Sequence, residues 1–365
     1  MVYNTMRRKS RVVSIGRVKI GGHNPVAVQS MTNTDTRDVS ATISQIRDLE
    51  RAGCDVIRIT VPDEECAKTI LKIKESGIET PIVADIHFDY RIALKCAEYG
   101  VDKIRINPGN IGDEERVRAV CRACQSRHIP IRIGVNSGSV EKPLLEKYGG
   151  PTPDALVESA LKHASLLEKN GFEDIVISIK ASNVYDTVRA NRILAASCDY
   201  PIHIGVTEAG TRERGLLKST AGIASLLMDG IGDTVRVSLT ADPVEEPGAA
   251  RQIFQSIGLE GQCGLDLVCC PTCGRTKIDL IPLAEAFEKA VREKHLDRLP
   301  YKVAIMGCAV NGPGEAKEAD FGIAGGVGEG LLFEKGKIIS KIPEDRLLQT
   351  LLDCLTAHAD KDGFI

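Results

Sequence analysis

Short runs of alternating aliphatic and polar residues recur along the first two thirds of the chain, each followed by a Gly, Asp or Pro break and a stretch with helical spacing. The runs are Val26–Thr32, Val56–Val61, Pro81–Ile86, Lys103–Asn107, Ile131–Asn136, Asp174–Ser182, Pro201–Thr207 and Thr234–Leu239. Segments such as SATISQIRDLERAG and TPDALVESALKHASLLEKNG lie between them. Strands that alternate with helices form βαβ units and a parallel sheet. Eight units in roughly 235 residues is the size of a (β/α)8 barrel. The pattern therefore predicts an α/β architecture with a TIM barrel over residues 1–260.

The two faces of each run differ, because a strand points successive side chains to opposite sides. Ile57, Ile59 and Val61 share one face of VIRITV, and Arg58 lies on the other. Arg105 and Asn107 oppose Ile104 and Ile106, and Arg132 and Asn136 oppose Ile131, Ile133 and Val135. Lys180 and Ser182 oppose Ile175, Ile177 and Ile179. Asp85 with His87, then His203, then Arg236 with Ser238 complete the polar face. The aliphatic face is expected against the helices and the polar face inside the barrel.

Barrel interiors are ordinarily filled by branched apolar side chains. An unpaired buried charge costs several kcal/mol, so Arg58, Arg105, Arg132, Lys180 and Arg236 need anions, of which Asp85 and Glu208 supply two carboxylates. One reading is an internal salt-bridge network. The recurrence over many strands favours the other, a phosphorylated or polyanionic ligand at the C-terminal mouth, where guanidinium forks grip phosphate bidentately. The connection VNSGSVEKPLLEKYGGPTPDA after the fifth run is longer than a usual βα turn, which marks it as a lid, and its Gly149-Gly150-Pro151 reads as either a hinge or a turn.

After Pro243 the pattern changes. A last helix near residues 245–257 should close the barrel. Residues 261–365 read as a smaller α+β domain, with helices near Ile281–His295 and Glu344–Ala359 and strand-like runs at Lys302–Met306, Phe321–Ala324 and Leu331–Ile342.

Composition narrows the classes. The 365 residues carry 47 Lys and Arg against 50 Asp and Glu, a net charge of -3, so no bulk imbalance points to nucleic acid or to a membrane surface. No apolar run approaches the ~18 residues of a membrane span. The basic start, MVYNTMRRKSRVVSIGRVKIGG, is too interrupted by polar residues for a signal peptide, and a cytoplasmic location is expected. In a reducing compartment the 12 cysteines point to metal or catalytic use rather than disulfides. Cys54, Cys66, Cys96, Cys198 and Cys354 fall in helix-like stretches and read as small buried hydrophobes.

Cys270-Pro-Thr-Cys273-Gly is a metal knuckle, since a two-residue spacing lets both thiolates face one metal site. Cys121-Arg-Ala-Cys124, late in a helix at the floor of the barrel, reads as structural. A zinc ribbon needs a second knuckle after Cys273, and none follows. Cys308 opens the irregular loop of MGCAVNGPGEA, and Glu315 is the one hard ligand near it. Cys270, Cys273 and Cys308 suit three corners of a [4Fe–4S] cube, with Glu315 at the fourth iron, where an oxygen ligand is displaceable.

CPTCGRT and MGCAVNGPGEA, with VQSMTNTDT and HIGVTEAG, closely resemble the 4-hydroxy-3-methylbut-2-enyl diphosphate synthases of the non-mevalonate isoprenoid pathway, in their shorter bacterial form, over essentially the whole chain. The resemblance implies reductive opening of 2-C-methyl-D-erythritol 2,4-cyclodiphosphate with loss of water. It implies a [4Fe–4S] cluster on Cys270, Cys273, Cys308 and Glu315, and electrons from flavodoxin or ferredoxin. It also implies a homodimer in which each barrel mouth is closed by the cluster domain of the other subunit. Loss of hydroxide needs a proton, for which Glu208 in GVTEAG is the first candidate and His87 and His203 are alternatives. Two other classes stay open on the residues alone: a dihydropteroate-synthase-like phosphate-binding barrel with a structural metal domain, and an aconitase-like hydro-lyase.

Overall fold

The computed structural model describes residues 7–364 except 108, 109, 111, 182, 260–263, 295, 298 and 310–315. The chain divides into two compact units, Met1–Gly261 and Gln262–Ile365.

In the first unit, β1 (Val13–Ile15) and β2 (Val18–Ile20) form an antiparallel hairpin. The barrel follows as β3 (Ala27–Met31), β4 (Val56–Thr60), β5 (Ile82–Asp85), β6 (Lys103–Ile106), β7 (Ile131–Asn136), β8 (Ile175–Lys180), β9 (His203–Ile204) and β10 (Thr234–Val235). Among the described residues these eight strands pair in parallel in the order β8-β7-β6-β5-β4-β3-β10-β9. The ends meet at a parallel bridge between Ile177 and Ile202, where Ile177 N donates to Pro201 O at 2.9 Å. The predicted (β/α)8 barrel is therefore present.

The aliphatic face packs outward as expected. Ile57, Ile59, Ile104, Ile106, Ile133 and Ile177 form one core with helix residues such as Ile46, Leu49, Ile70 and Val120. The helices start at side-chain caps: Asp38, Asp63 and Asp113 accept from the backbone N–H of Ala41, Cys66 and Arg116, and each such cap contributes about 1 kcal/mol. Cys121 and Cys124 lie wholly buried in this layer. Burial pushes their thiols up to about 11 and about 12, which leaves them unreactive.

Two short strands depart from the sequence reading, which extended the seventh and eighth runs to Thr207 and Leu239. Regular pairing stops after Ile204 and Val235; beyond them Arg236 N donates to Ile204 O at 3.0 Å, Leu239 N to Glu246 Oε1 at 3.4 Å and Thr240 N to Gly210 O at 3.0 Å. The barrel floor is sealed by the β1–β2 hairpin, whose Val13, Ile15 and Ile20 pack on Ala27, Val56, Val83 and Val176. A strap before it crosses the weak seam. Ser10 Oγ and Arg7 Nη2 bond Asp233 Oδ1 at 2.9 and 3.1 Å, and Arg11 Nε bonds Asp199 Oδ1 at 2.7 Å.

The segment read as a lid holds a short helix, Lys142–Tyr148, ended by Gly149 in the left-handed region at φ 72. Glu141 pins it: its Oε2 accepts from Ser159 Oγ at 2.6 Å and its Oε1 lies 3.2 Å from His163 Nε2. Gly149 is thus a turn.

The second unit, taken by itself, is a sheet of β11 (Asp266–Cys269), β12 (Lys302–Met306), β13 (Phe321–Gly325), β14 (Glu329–Glu334) and β15 (Lys337–Pro343), hydrogen-bonded in that order. The first three strands are parallel and the last three antiparallel. Helices Leu280–Glu293 and Leu347–Asp362 cover the sheet through Leu280, Phe287, Leu351 and Leu355, packed on Val303, Ile305 and Ile323. The run read as continuous over Leu331–Ile342 is a hairpin. It turns at Lys335 and Gly336, both at positive φ (46 and 75), the pair of conformations that fits the right-handed twist of the flanking strands.

Candidate active-site residues in the two units

Register places the cationic side chains of the barrel. Arg58 lies opposite Met31, Asp85 opposite Arg105, Arg105 opposite Arg132, and Asn136 opposite Lys180. Arg105 Nη1 donates to Asp85 Oδ1 at 3.1 Å, and Arg58 Nε stands 3.6 Å from Asp85 Oδ2. Arg58 and Arg236 also point guanidinium N–H groups at Met31 Sδ, at 2.9 and 3.3 Å. Burial alone would raise the Asp85 carboxyl, but Arg58, Arg105 and Arg132 together hold it below the ordinary carboxylate value. Burial pulls Lys180 well below the ordinary lysine value, and the guanidinium groups of Arg236 and Arg58 add to it.

Two inward positions carry no side chain, and a neighbour takes the space over each. A Cβ at Gly134 would lie 2.7 Å from Arg105 Nε, and one at Gly205 would lie 2.5 Å from Arg236 O and 3.7 Å from Lys180 Nζ. The guanidinium of Arg105 occupies the space over Gly134.

The remaining candidates spread around this centre. Asn107 is buried just past β6, and Ser238 is half-buried past β10. Asn136 is exposed at the end of β7, where its backbone N donates to Ser139 Oγ at 2.9 Å. His87 and Glu208 are exposed beyond β5 and β9. Glu208 holds φ 54, a left-handed conformation uncommon for a residue with a side chain. His203 is fully buried, with Nδ1 2.6 Å from Thr234 Oγ1. Burial and nearby Arg132 hold its imidazole well below the ordinary value and therefore neutral. Ser182 lies outside the described residues.

Three interior residues were missed by the sequence reading. Glu246, from the closing helix, is buried and reaches into the barrel: Arg236 Nε and Nη2 each bond it at 3.2 Å, and Ser30 Oγ at 2.6 Å. Its helical position hid it. Lys103 and Gln29 are fully buried on the inward face. Lys103 stands two residues before Arg105 in the same alternation, so the signal was present.

In the second unit, the parallel pairing of Cys269 with Ile305 brings the C-terminal ends of β11 and β12 side by side. Cys270 follows the first, and Gly307 and Cys308 follow the second. Cys270 Sγ accepts from Gly307 N at 3.2 Å. Cys273 N donates to Thr276 Oγ1 at 3.2 Å, and Lys277 N donates to Gly307 O at 2.9 Å, so the knuckle is tied to the strand end that carries Cys308. Gly307 has no room for a side chain, as a Cβ there would meet Thr276 Cγ2 at 2.9 Å. Cys270 and Cys308 are half-buried and Cys273 is exposed, all as free thiols. The carboxyl ends of adjacent parallel strands are a usual place for a ligand. Among the described residues no three His, Cys, Asp or Glu side chains converge on a single-ion position. Three thiols in one small domain are a donor set of the kind that holds iron–sulfur groups. Glu315 lies outside the described residues.

Comparison with known proteins bears on the whole chain. Residues 10–251 match the GcpE TIM-barrel domain and residues 266–357 the GcpE protein C-terminal domain. A protein of Caldanaerobacter subterraneus subsp. tengcongensis named 4-hydroxy-3-methylbut-2-en-1-yl diphosphate synthase (flavodoxin) is 58% identical over 95% of this chain and 96% of its own length. Proteins of the same name from Ruminiclostridium cellulolyticum and Fusobacterium nucleatum are 56% and 54% identical, each over 95% of this chain and 97% and 96% of their own. With both of its units matched and its relatives aligned nearly end to end, the chain belongs to the GcpE family, whose members include these diphosphate synthases.

Proposed function

We propose that this chain converts 2-C-methyl-D-erythritol 2,4-cyclodiphosphate into 4-hydroxy-3-methylbut-2-enyl diphosphate. Two electrons and two protons enter, the bond between the tertiary ring carbon and its phosphate oxygen breaks, and one water leaves. The observation that carries the reading is the set of basic side chains Arg58, Arg105, Arg132, Lys180 and Arg236 inside the barrel, more than Asp85 and Glu246 neutralise. A cyclic diphosphate supplies the missing negative charge, and Asn107, Asn136, Ser182 and Ser238 are polar groups for its remaining oxygens. Gly134 lets the Arg105 guanidinium lie across the mouth, where it can meet the diphosphate. Glu208, at positive φ and exposed beyond β9, delivers the proton to the departing hydroxyl, with exposed His87 and buried His203 as alternatives.

Cys270, Cys273 and Cys308, together with Glu315, would hold a [4Fe–4S] cluster, which when bound supplies electrons one at a time and a Lewis-acid iron. Flavodoxin, which appears in the relatives' names, is the proposed donor, with ferredoxin as a substitute. We propose a cytoplasmic location, which the free thiols of the described residues support; no helix there is long and apolar enough to cross a membrane. We also propose a homodimer in which the cluster-bearing unit of one copy closes the barrel mouth of the other.

Anaerobic purification followed by iron analysis and turnover tests this reading. The expected protein is brown and turns the cyclic diphosphate over only with a reductant. Cys308→Ser loses most of its iron, whereas Cys121→Ser keeps it. A colourless zinc protein would support the structural-metal alternative, and turnover without reductant would support a hydro-lyase.

A further inference from the structure

Beneath the mouth lies Lys103, a lysine that the proposed reaction does not use. Lys103 is fully buried, on the same inward face as Arg105 and roughly 7 Å nearer the floor along the strand. Among the described residues its Nζ has no hydrogen-bond partner, nor do Nε and Nη1 of Arg132, Nε2 of His203 or the side-chain amide of Gln29. The interior carboxylates are engaged elsewhere. Asp85 is held by Arg105 and Arg58, and Glu246 by Arg236 and Ser30. Arg58 from β4, Arg132 from β7 and His203 from β9 act on Lys103, and Arg105 on its own strand and Asp85 on β5 stand one inward position nearer the mouth. The balance of this set opposes an ammonium.

We infer that Lys103 takes up a proton when a diphosphate enters the mouth, so that anion binding and charging of this inner lysine are one linked event. The inference rests on reading the mouth as a diphosphate site. In the empty barrel, burial and then Arg132 and Arg58 hold the amine well below the ordinary lysine value. Anionic oxygens laid across Arg58, Arg105 and Arg132 cancel the repulsion that keeps it neutral. Lys103 is the acceptor rather than His203, because an amine is intrinsically more basic than imidazole by about four pH units and His203 Nδ1 already faces Thr234 Oγ1. Lys180 is also held down, but it lies at the mouth, and Lys180→Met titrated beside Lys103→Met separates its share. The sign follows: the lysine's value rises on binding, so binding draws a proton and affinity falls as pH rises. One linked proton weakens binding about tenfold per pH unit between the free and bound values.

The holoprotein, purified without oxygen, is titrated calorimetrically with inorganic pyrophosphate in buffers of different ionisation enthalpy at one pH, which yields the protons exchanged. Pyrophosphate's own protonation cancels when variants are compared. The parent is expected to take up about one proton more than Lys103→Met, and His203→Gln to match the parent. Lys103→Arg, charged from the outset, should show the same deficit as Lys103→Met and serves if the Met variant fails to fold. Equal uptake by parent and Lys103 variants overturns the inference, as does loss of uptake in His203→Gln alone. If the parent binds no pyrophosphate at all, the diphosphate reading of the mouth falls and takes this inference with it.

Discussion

Asp85 shows how a single carboxylate is set by its surroundings. Its folded value is depressed by the guanidinium groups around it, so its stabilising share is present above the ordinary carboxylate value and is lost as pH falls through the lower folded value. Asp85→Asn should therefore be less stable than the parent at neutral pH, with melting temperatures that converge below about pH 4. A gap that persists into acid would mean that packing, not charge, is what the residue contributes. The two inward glycines make a sharper pair. At Gly134 an added methyl meets the far end of a flexible side chain, so Gly134→Ala should fold normally but push Arg105 aside, weakening pyrophosphate binding roughly tenfold. At Gly205 the methyl meets backbone, so Gly205→Ala should lose about 1–3 kcal/mol of stability. Denaturant melts beside binding titrations separate the two outcomes. Of this residue-level picture, the arginine alternation was legible because period two is a strong signal. Glu246 was not, since a helical residue gives no sign that it reaches through a sheet edge, and the strain at Glu208 is a backbone property that its letter does not carry.

At the scale of elements, the eight βα units were legible from periodicity, while their unequal lengths were not. Past the last two strands the backbone makes isolated bonds, Leu239 N to Glu246 and Thr240 N to Gly210 O, in place of a regular ladder. Hairpin β14–β15 was hidden inside one apolar run, since its turn needs only Lys335 and Gly336. The seam beside β9 and β10 depends on Asp233, which accepts from Ile202 N at 2.8 Å as well as from the strap. Asp233→Ala should leave buried donors without acceptors, at a cost of about 1–3 kcal/mol each. Hydrogen exchange should speed up at residues 202–204 and 234–236 while β4–β7 keep their protection. Uniform loss across the barrel would show that the seam is not a separate weak point.

The whole molecule is two separately cored units, one built on the outward faces of the barrel strands and one on the sheet of β11–β15. The proposed chemistry needs both in one place, and the proposed dimer brings them together in trans. Mixing Arg105→Ala with Cys308→Ser, each inactive alone, tests it. With shared sites a mixed dimer carries one doubly damaged centre and one intact centre, and activity partly returns after subunit exchange. Heterodimers that form and stay silent would rule the arrangement out.

The strap across the barrel floor also has a consequence for how the chain is made. Arg7 bonds Asp233 across 226 residues of sequence, and Ala27 of β3 pairs with Thr234. The opening strand of the barrel is thus completed by nearly the last segment of its unit. At about 5–20 residues per second, roughly 10–50 s pass between them. Throughout that interval β3 presents an unpaired edge to the cell, the kind of surface on which nascent chains stick to one another. Slowing translation between residues 30 and 230 should therefore lower the soluble yield, and pausing after residue 240 should not.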